Sequence, residues 1–295
     1  MRVLLAIDSS TASQLVVTTA AGRPWPSGTV FCVLSVVDMG RWEGLPVLIE
    51  DAKHEAQSLV THAVNKLTQS GREAFSEVRS GLPKKLIPEY ASEWRADLVM
   101  IGSHGQSALT RFFLGSVAHA ILRTASCSVE IVRPSPLPSP ASAGMKILLA
   151  TDGAECSQKA VYSVANRPWP RNSQIGIISV AQLITLKTQT TASPLCSEYP
   201  LTLPESVWEA ARKIAQDAVA DARKTLRAAG LNIWDGEATP VGDPRSFILD
   251  AARAWGADLI VLGSHGRHGW DRLLMGSVAE AVALHAHCSV EVVRG

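Results

Sequence analysis

The chain has 295 residues, of which 46% are hydrophobic and 19% charged, so we expect packed cores rather than wholesale disorder. The formal net charge is only +1, so the chain lacks the large positive charge of proteins that bind nucleic acids or anionic membranes nonspecifically. No apolar run approaches the roughly 20 residues that span a bilayer, and the start, which meets Asp8 after one short apolar run, predicts a buried strand rather than a secretory signal. The chain has five cysteines, an odd number, and no CxxC pair, so we expect neither a disulfide framework nor a structural zinc site. This pattern favours a reducing, cytoplasmic setting.

In chain order, the first part of the sequence alternates between apolar runs and segments with apolar residues at helical spacing. Five strands are predicted, at residues 3–7, 29–37, 74–81, 97–102 and 128–132. Helices are predicted between them, at residues 13–21, 49–71, 83–95 and 116–124. Strands separated in this way by helices require right-handed crossovers and a parallel sheet with helices on both faces.

The sequence then repeats itself. Four segments recur, namely 1–14 as 145–158, 23–26 as 167–170, 97–116 as 258–277 and 127–133 as 288–294. Each copy has the size of one domain, and the intervening prolines have little to bury. We therefore predict two domains, at 1–134 and 145–295, joined by a Pro/Ser/Ala linker at 135–144.

Each repeat carries the pattern Gly-x2-Gly-x9-Gly-Ser after its fourth strand. Its residues are Gly102, Gly105, Gly115 and Ser116 in the first copy and Gly263, Gly266, Gly276 and Ser277 in the second. The first glycine is expected where the backbone turns sharply or a ligand approaches, and the second where the backbone adopts an unusual angle. The Gly-Ser pair opens a helix, whose unpaired N–H groups and dipole attract an anion such as phosphate. The serine either caps that helix or donates its hydroxyl to the phosphate.

Asp8 and Asp152 end the first strand of each repeat. If the first and fourth strands are neighbours, these carboxylates lie in the crevice at the topological switch point, where open α/β sheets bind ligands. The alternative is that each carboxylate only caps the helix that follows it.

At these residues each repeat resembles the universal stress protein family, in its ATP-binding branch, and the resemblance covers the whole chain. It implies an α/β fold of two tandem Rossmann-like (adenine nucleotide alpha hydrolase-like) domains, each a five-stranded parallel sheet in the order 3-2-1-4-5. The last strands, SVEIV and SVEVV, match the family's dimerisation strand. We therefore expect the repeats to pair edge to edge within the chain. A homodimer of the whole chain is also compatible with this pattern, and no nucleic-acid or membrane partner is implied.

The resemblance also implies an adenine-nucleotide site in each repeat, with Mg²⁺ or Mn²⁺ on the phosphates. In the first repeat the matching residues are Ala6, Ile7, Asp8, Val36, Gly102, His104, Gly105, Gly115, Ser116 and Val117. In the second they are Ala150, Thr151, Asp152, Val180, Gly263, His265, Gly266, Arg267, Gly276, Ser277 and Val278. The residues at the ends of the first two strands match those that meet adenine and ribose. The glycine loop matches the segment that meets ribose and triphosphate.

The repeats differ at positions that bear on this site. Gln106 stands where the second repeat has Arg267, and His119 stands where it has Glu280, so we expect weaker ATP binding in the first repeat. The second repeat also carries a longer polar stretch at 183–206, which we interpret as a lid over adenine or a partner-binding surface.

The leading hypothesis is a cytoplasmic, ATP-binding stress-response module that is gated by nucleotide and turns over little or none. We assign no catalytic or metal-binding residue, and read His104 and His265 as positioning the loop rather than as a general acid or base. Two alternatives stay open: a slow ATPase or nucleotidyl transferase on the same fold, and an interaction scaffold with empty sites. The chain contains neither GxxxxGK[ST] nor GxGxxG, which disfavours a typical NTPase or Rossmann dehydrogenase.

Overall fold

A computed structural model describes residues 1–41, 46–105, 114–134, 144–182, 205–236, 239–266 and 275–294. The elements of the first repeat are β1 (Arg2–Ala6), α1 (Thr11–Gly22), β2 (Val30–Asp38), α2 (Pro46–Gln69), β3 (Glu73–Gly81), α3 (Pro83–Glu93), β4 (Leu98–Gly102), α4 (Ser116–Thr124) and β5 (Ser128–Val132). Those of the second are β6 (Lys146–Ala150), α5 (Glu155–Ala165), β7 (Gln174–Ile178), α6 (Glu205–Ala228), α7 (Pro244–Trp255), β8 (Leu259–Gly263), α8 (Ser277–His285) and β9 (Ser289–Val293).

Within the described residues the strands form a single sheet in the order β3-β2-β1-β4-β5-β9-β8-β6-β7. In the first repeat each predicted strand and helix is present within a few residues of its expected bounds. The predicted strand order 3-2-1-4-5 is confirmed there. The strands β1, β4 and β5 are apolar and buried along most of their length, as expected for strands covered on both faces.

The second repeat departs from the predicted five strands. Its described residues form four, in the order β7-β6-β8-β9, and the third strand is replaced by two isolated bridges, Ile175–Ile233 and Ala181–Val241. The two bridges lie along the edge of β7, and Gly236 and Pro240 fall between them in the sequence. Proline has no N–H to donate and glycine weakens a strand, which explains why only isolated bridges form.

The two repeats join through an antiparallel pairing of β5 with β9, whereas the pairings within each repeat are parallel. The register places Val129 opposite Val292 and Ile131 opposite Val290. One apolar core therefore runs across both repeats on the face covered by α4 and α8, and it includes Ile121 and Val282, which are fully buried. Burial of each such side chain contributes about 1.5–3 kcal/mol, so the pairing is also a hydrophobic interface.

The other face of the sheet carries a separate core in each repeat. The predicted linker at 135–144 falls almost wholly outside the described residues. Four cysteines in the described ranges, Cys32, Cys127, Cys156 and Cys288, are free thiols. Among the described helices, none combines the length and apolarity needed to cross a membrane.

Candidate functional site

The first and fourth strands of each repeat are neighbours, as the crevice hypothesis required. β1 pairs with β4 and β6 pairs with β8, both in parallel. Their carboxyl ends therefore open at the same edge of the sheet, and Asp8 and Asp152 follow β1 and β6 at that edge. The topology thus creates one switch-point crevice in each repeat.

In the second repeat this crevice is a cavity of about 700 Å³. That volume falls in the range of about 300–1,000 Å³ typical of small-molecule sites. Every predicted site residue of this repeat that the structure describes lines the cavity, namely Ala150, Thr151, Asp152, Val180, Gly263, His265, Gly266, Gly276, Ser277 and Val278. Arg267 lies outside the described residues. Three segments far apart in sequence are therefore brought together as expected.

The aspartates hold the turn before the next helix and also face the glycine loop. The Oδ1 atom of Asp152 accepts a hydrogen bond of 3.0 Å from the Ala154 N–H. In the first repeat Oδ1 of Asp8 accepts from the Ser10 N–H at 3.0 Å and from the Ser13 hydroxyl at 2.7 Å. These bonds hold the turn before each helix, but the N-cap residues of α1 and α5 are Ser10 and Ala154, so the alternative that the aspartates cap these helices is wrong.

The other oxygen explains the second glycine of the motif. A Cβ added at Gly266 would lie 2.6 Å from Oδ2 of Asp152, and one added at Gly105 would lie 3.1 Å from Oδ2 of Asp8. Neither glycine has a positive φ, so the predicted unusual backbone angle is wrong. A side chain at this position would have to displace the aspartate carboxylate, which explains why glycine suits it.

The first glycine of the motif serves close packing of strand against helix. A Cβ added at Gly102 would lie 2.7 Å from Cβ of Ala12, and one at Gly263 would lie 2.6 Å from the carbonyl carbon of Cys156. Neither has a positive φ. Gly263 nevertheless lines the cavity, so the close approach of α5 forms one of its walls.

The third glycine, rather than the serine after it, occupies the N-cap position of the following helix. Gly115 caps α4 and Gly276 caps α8, both without a side-chain hydrogen bond, so the suggested capping role of the serines is wrong. The Gly276 N–H donates to the Ser264 carbonyl at 2.8 Å, which anchors the loop. The first turn of α8 therefore begins at the cavity without a capping side chain, and its N–H groups and dipole favour an anion there.

The histidines of the two loops are held in the same way. The Oγ atom of Ser103 lies 2.8 Å from Nδ1 of His104, and that of Ser264 lies 3.0 Å from Nδ1 of His265. Ser103 and Ser264 are buried. Each imidazole is thus oriented by the serine before it.

Sequence reasoning missed Arg245, which lines the cavity from the first turn of α7. Its Nη2 donates to the Ser277 hydroxyl at 3.2 Å, so the guanidinium lies at the start of α8. A signal was available, because the pattern Gly-x-Pro-[Lys/Arg] follows the third-strand position of both repeats, at 81–84 and 242–245. The glycines of that pattern share an unusual backbone, with φ values of 151° and 149°.

Sequence reasoning also missed the wall contributed by the long helix α6. The cavity-lining residues of this helix are apolar and share one of its faces, and they are Val207, Ala210, Ala211, Ile214 and Ala215. Their helical spacing was readable from the sequence. The residues just before α6, which carry most of the predicted lid, lie outside the described residues.

A family model described as "Universal stress protein family" matches residues 1–133 and again 145–294. The chain belongs to the universal stress protein family. A curated relative from Staphylococcus aureus (strain USA300), assigned to the universal stress proteins, is 31% identical over 143 residues. That match covers 46% of this chain and 86% of the relative, as expected if one repeat corresponds to a whole relative.

Solved structures with the fold of this universal stress protein extend over both repeats. One, a universal stress protein from Archaeoglobus fulgidus DSM 4304, aligns with a TM-score of 0.68 at 19% identity and covers 99% of this chain and 96% of its own. Another, from Pseudomonas aeruginosa UCBPP-PA14, aligns with a TM-score of 0.63 at 17% identity, covering 99% and 92%. At these identities the likeness establishes the shared fold.

The two repeats of this universal stress protein are not equivalent around the site. Leu82 and Lys84 stand where the second repeat has Asp243 and Arg245. Leu82 occupies the N-cap of α3 without a side-chain hydrogen bond, whereas the side chain of Asp243 caps α7 by accepting from the Arg245 backbone N–H. Gln106, which carried part of the argument for weaker binding in the first repeat, lies outside the described residues.

Proposed function

We propose that this universal stress protein binds ATP, at the second repeat above all, and acts as a nucleotide-gated regulatory module of the cytoplasm with little or no turnover. One observation carries the proposal. The predicted nucleotide-contacting residues of the second repeat, drawn from the ends of β6 and β8 and the start of α8, line one cavity of about 700 Å³.

The chemistry of that cavity suits the parts of an adenine nucleotide. Val180 and the apolar face of α6 offer a surface for the base. The carboxylate of Asp152 is an acceptor for ribose hydroxyls. The first turn of α8, with Ser277, supplies N–H groups and a hydroxyl for phosphate. Base, sugar and phosphates would then run from α6 across the ends of β6 and β8 to α8.

We further propose that a divalent cation arrives with the phosphates. Among the described residues, no three His, Cys, Asp or Glu side chains are grouped so that they could hold a metal ion. The triphosphate would supply most of the oxygen ligands.

We propose low turnover because the titratable side chains that line the cavity make hydrogen bonds that suit a positioning role. Asp152 accepts from the Ala154 N–H at 3.0 Å, and Asp243 accepts from the Arg245 N–H at 3.3 Å. The imidazole of His265 is in hydrogen-bond contact with Ser264 at 3.0 Å. We assign these groups to positioning, because general acid–base catalysis needs a side chain directed at the reacting atoms.

The test is to denature the purified full-length chain, identify any released nucleotide by chromatography and mass, and measure ATP binding by calorimetry. Two ATP per chain would support binding at both repeats, and one would support inequivalent repeats. Release of ADP or AMP together with multiple turnovers would favour the slow-ATPase alternative. A chain that is empty and does not bind millimolar ATP would refute the proposal in favour of a scaffold.

Variants assign the binding to the motif. Gly276→Val places a side chain about 2.9 Å from the Ser264 carbonyl oxygen and blocks the start of α8, so ATP affinity should fall at least tenfold. Gly22→Val is the matched control, because a Cβ at Gly22 meets nothing within 4 Å. Circular dichroism and thermal melting of both variants separate loss of binding from loss of fold.

A further inference from the structure

We infer that Arg245 is a phosphate-binding residue that makes the second repeat selective for nucleoside polyphosphates over nucleosides and monophosphates. This inference rests on the proposed function, since it names the ligand class and a further contact at the same site. It concerns a residue outside the glycine motif, on a different helix from the one that the motif opens.

The position of Arg245 places its charge where phosphates would lie. The residue belongs to the first turn of α7, yet its Nη2 reaches across to the Ser277 hydroxyl at 3.2 Å, at the first residue of α8. The Arg245 guanidinium thus connects the N-terminal turns of α7 and α8. An arginine offers five N–H donors in a planar fork, and Ser277 takes one of these. The same fork matches the paired oxygens of a phosphate.

The guanidinium is steered toward this place by Asp243. The carboxylate of Asp243 caps α7, accepts from the Arg245 N–H at 3.3 Å and lies 4.0 Å from Nε of Arg245. The arginine side chain is 51% exposed, so this ion pair is weak and solvent-screened. The charge is therefore positioned at the cavity without being neutralised in a buried pair.

The charges of the described cavity lining favour a role for this arginine in holding an anionic ligand. Among the described lining residues, Asp152 and Asp243 carry carboxylates and Arg245 carries the arginine or lysine charge. Without Arg245 these described residues would repel a triphosphate while leaving the base and ribose surfaces intact. The effect of the arginine should therefore grow with the number of phosphates on the ligand.

The arrangement is confined to the second repeat. The first repeat has Leu82 in place of Asp243 and Lys84 in place of Arg245. Lysine presents a point charge rather than a fork, and a leucine cannot steer it. Phosphate-dependent selectivity should accordingly differ between the two repeats.

The experiment measures binding of adenosine, ATP and inorganic tripolyphosphate to the full chain by calorimetry, for the unmodified protein and for Arg245→Ala and Arg245→Lys. We expect Arg245→Ala to weaken ATP and tripolyphosphate about tenfold or more at one class of site while adenosine changes less than about twofold. Arg245→Lys should fall between. Arg253→Ala is the control, because Arg253 lies on the same helix, contacts Asp250 at 3.5 Å and is absent from the cavity lining.

The outcomes separate this inference from the proposed function. Unchanged ATP affinity in Arg245→Ala, or an equal loss for adenosine and ATP, would overturn the role of Arg245 while leaving ATP binding in place. Tripolyphosphate binding that depends on Arg245 in a chain that ignores adenosine and ATP would support Arg245 and refute the adenine-nucleotide proposal. A chain that binds none of the three probes would overturn both.

Discussion

Glu130 and Glu291 lie directly opposite each other where β5 pairs with β9, and both side chains are buried. Each is neutralised by an arginine of its own repeat: Arg23 contacts Glu130 at 2.8 Å and Arg167 contacts Glu291 at 2.6 Å. Both arginines begin the recurrent RPWP segment, and both glutamates belong to the recurrent SVE segment. Like charges placed opposite each other across two strands are destabilising. The SVE segments therefore need the arginines of the RPWP segments where β5 pairs with β9.

Removing one of these arginines should therefore destabilise the chain strongly. Arg23→Ala leaves the Glu130 carboxylate buried without its cation and opposite a second buried carboxylate, which should lower the free energy of unfolding by about 3–5 kcal/mol. Lys53→Ala is the control, since Lys53 contacts Glu50 at 2.8 Å on the surface and should cost less than about 1 kcal/mol. Urea unfolding followed by circular dichroism measures both; equal effects would contradict the assignment.

The interface between the repeats also brings together two residues at equivalent positions, one on α4 and one on α8. His119 and Glu280 each follow the motif serine by three residues, and Nε2 of His119 lies 2.8 Å from Oε1 of Glu280. We expected the replacement of glutamate by His119 to weaken ATP binding in the first repeat. The same histidine also contacts Glu280 and so links α4 to α8. His119→Glu would place two carboxylates against each other at a partly exposed site and should cost about 1 kcal/mol of stability.

The matched variant for that prediction is the double substitution His119→Glu/Glu280→Gln, which removes the repulsion and should restore the melting temperature. Thermal melting at pH 7 measures all three proteins. If His119→Glu has the same melting temperature as the unmodified chain, the side chains at positions 119 and 280 are not in contact in solution.

Much of the fold was readable from sequence because the buried strands are continuous apolar runs and the helices carry apolar residues at helical spacing. The third strand of the second repeat was not, since Pro240 and Gly236 interrupt a segment that still follows β7 through bridges at Ile233 and Val241. The local sequence pattern identifies which residues favour a strand. It does not tell how many hydrogen bonds to the neighbouring strand still form when glycine and proline interrupt that strand.

The site was predictable where its residues recur as a motif and unpredictable where contacts join distant segments. A glycine in a sequence does not tell whether it serves a special φ or a close approach, and Gly105 proved to serve the latter. Arg245 escaped notice because its partner Ser277 is 32 residues further on and belongs to another helix. Such contacts depend on how the crossovers place α7 beside α8.

The two loop glycines offer a graded test of the aspartate contact. Gly266→Ala would put a methyl group 2.6 Å from Oδ2 of Asp152, whereas Gly105→Ala would put one 3.1 Å from Oδ2 of Asp8. We expect Gly266→Ala to displace its carboxylate and weaken ATP binding at the second repeat about tenfold, and Gly105→Ala to have a smaller effect at the first. Calorimetry measures both against Gly22→Ala. An unchanged affinity in Gly266→Ala would show that Asp152 does not contact the nucleotide.

The cysteines provide a chemical probe of how tightly the chain is packed. Burial raises the pKa of the Cys32 and Cys127 thiols to about 11 and that of Cys288 to about 12. Because the thiolate is the reactive form, roughly a thousandth or less of these thiols is reactive at pH 8, and their reactivity rises only as the pH approaches those values. Cys156, like Cys127, is only partly buried, whereas Cys32 and Cys288 are buried. Cys156 lies at the start of α5, with its backbone against Gly263.

In a Cys196→Ser background, which removes the cysteine outside the described residues, Ellman's reagent at pH 8 should therefore modify Cys156 first. Cys127, which is also partly exposed but has the raised pKa, should react more slowly, and the buried Cys32 and Cys288 should react only after denaturation. Equal rates for all four thiols would contradict the burial of Cys32 and Cys288.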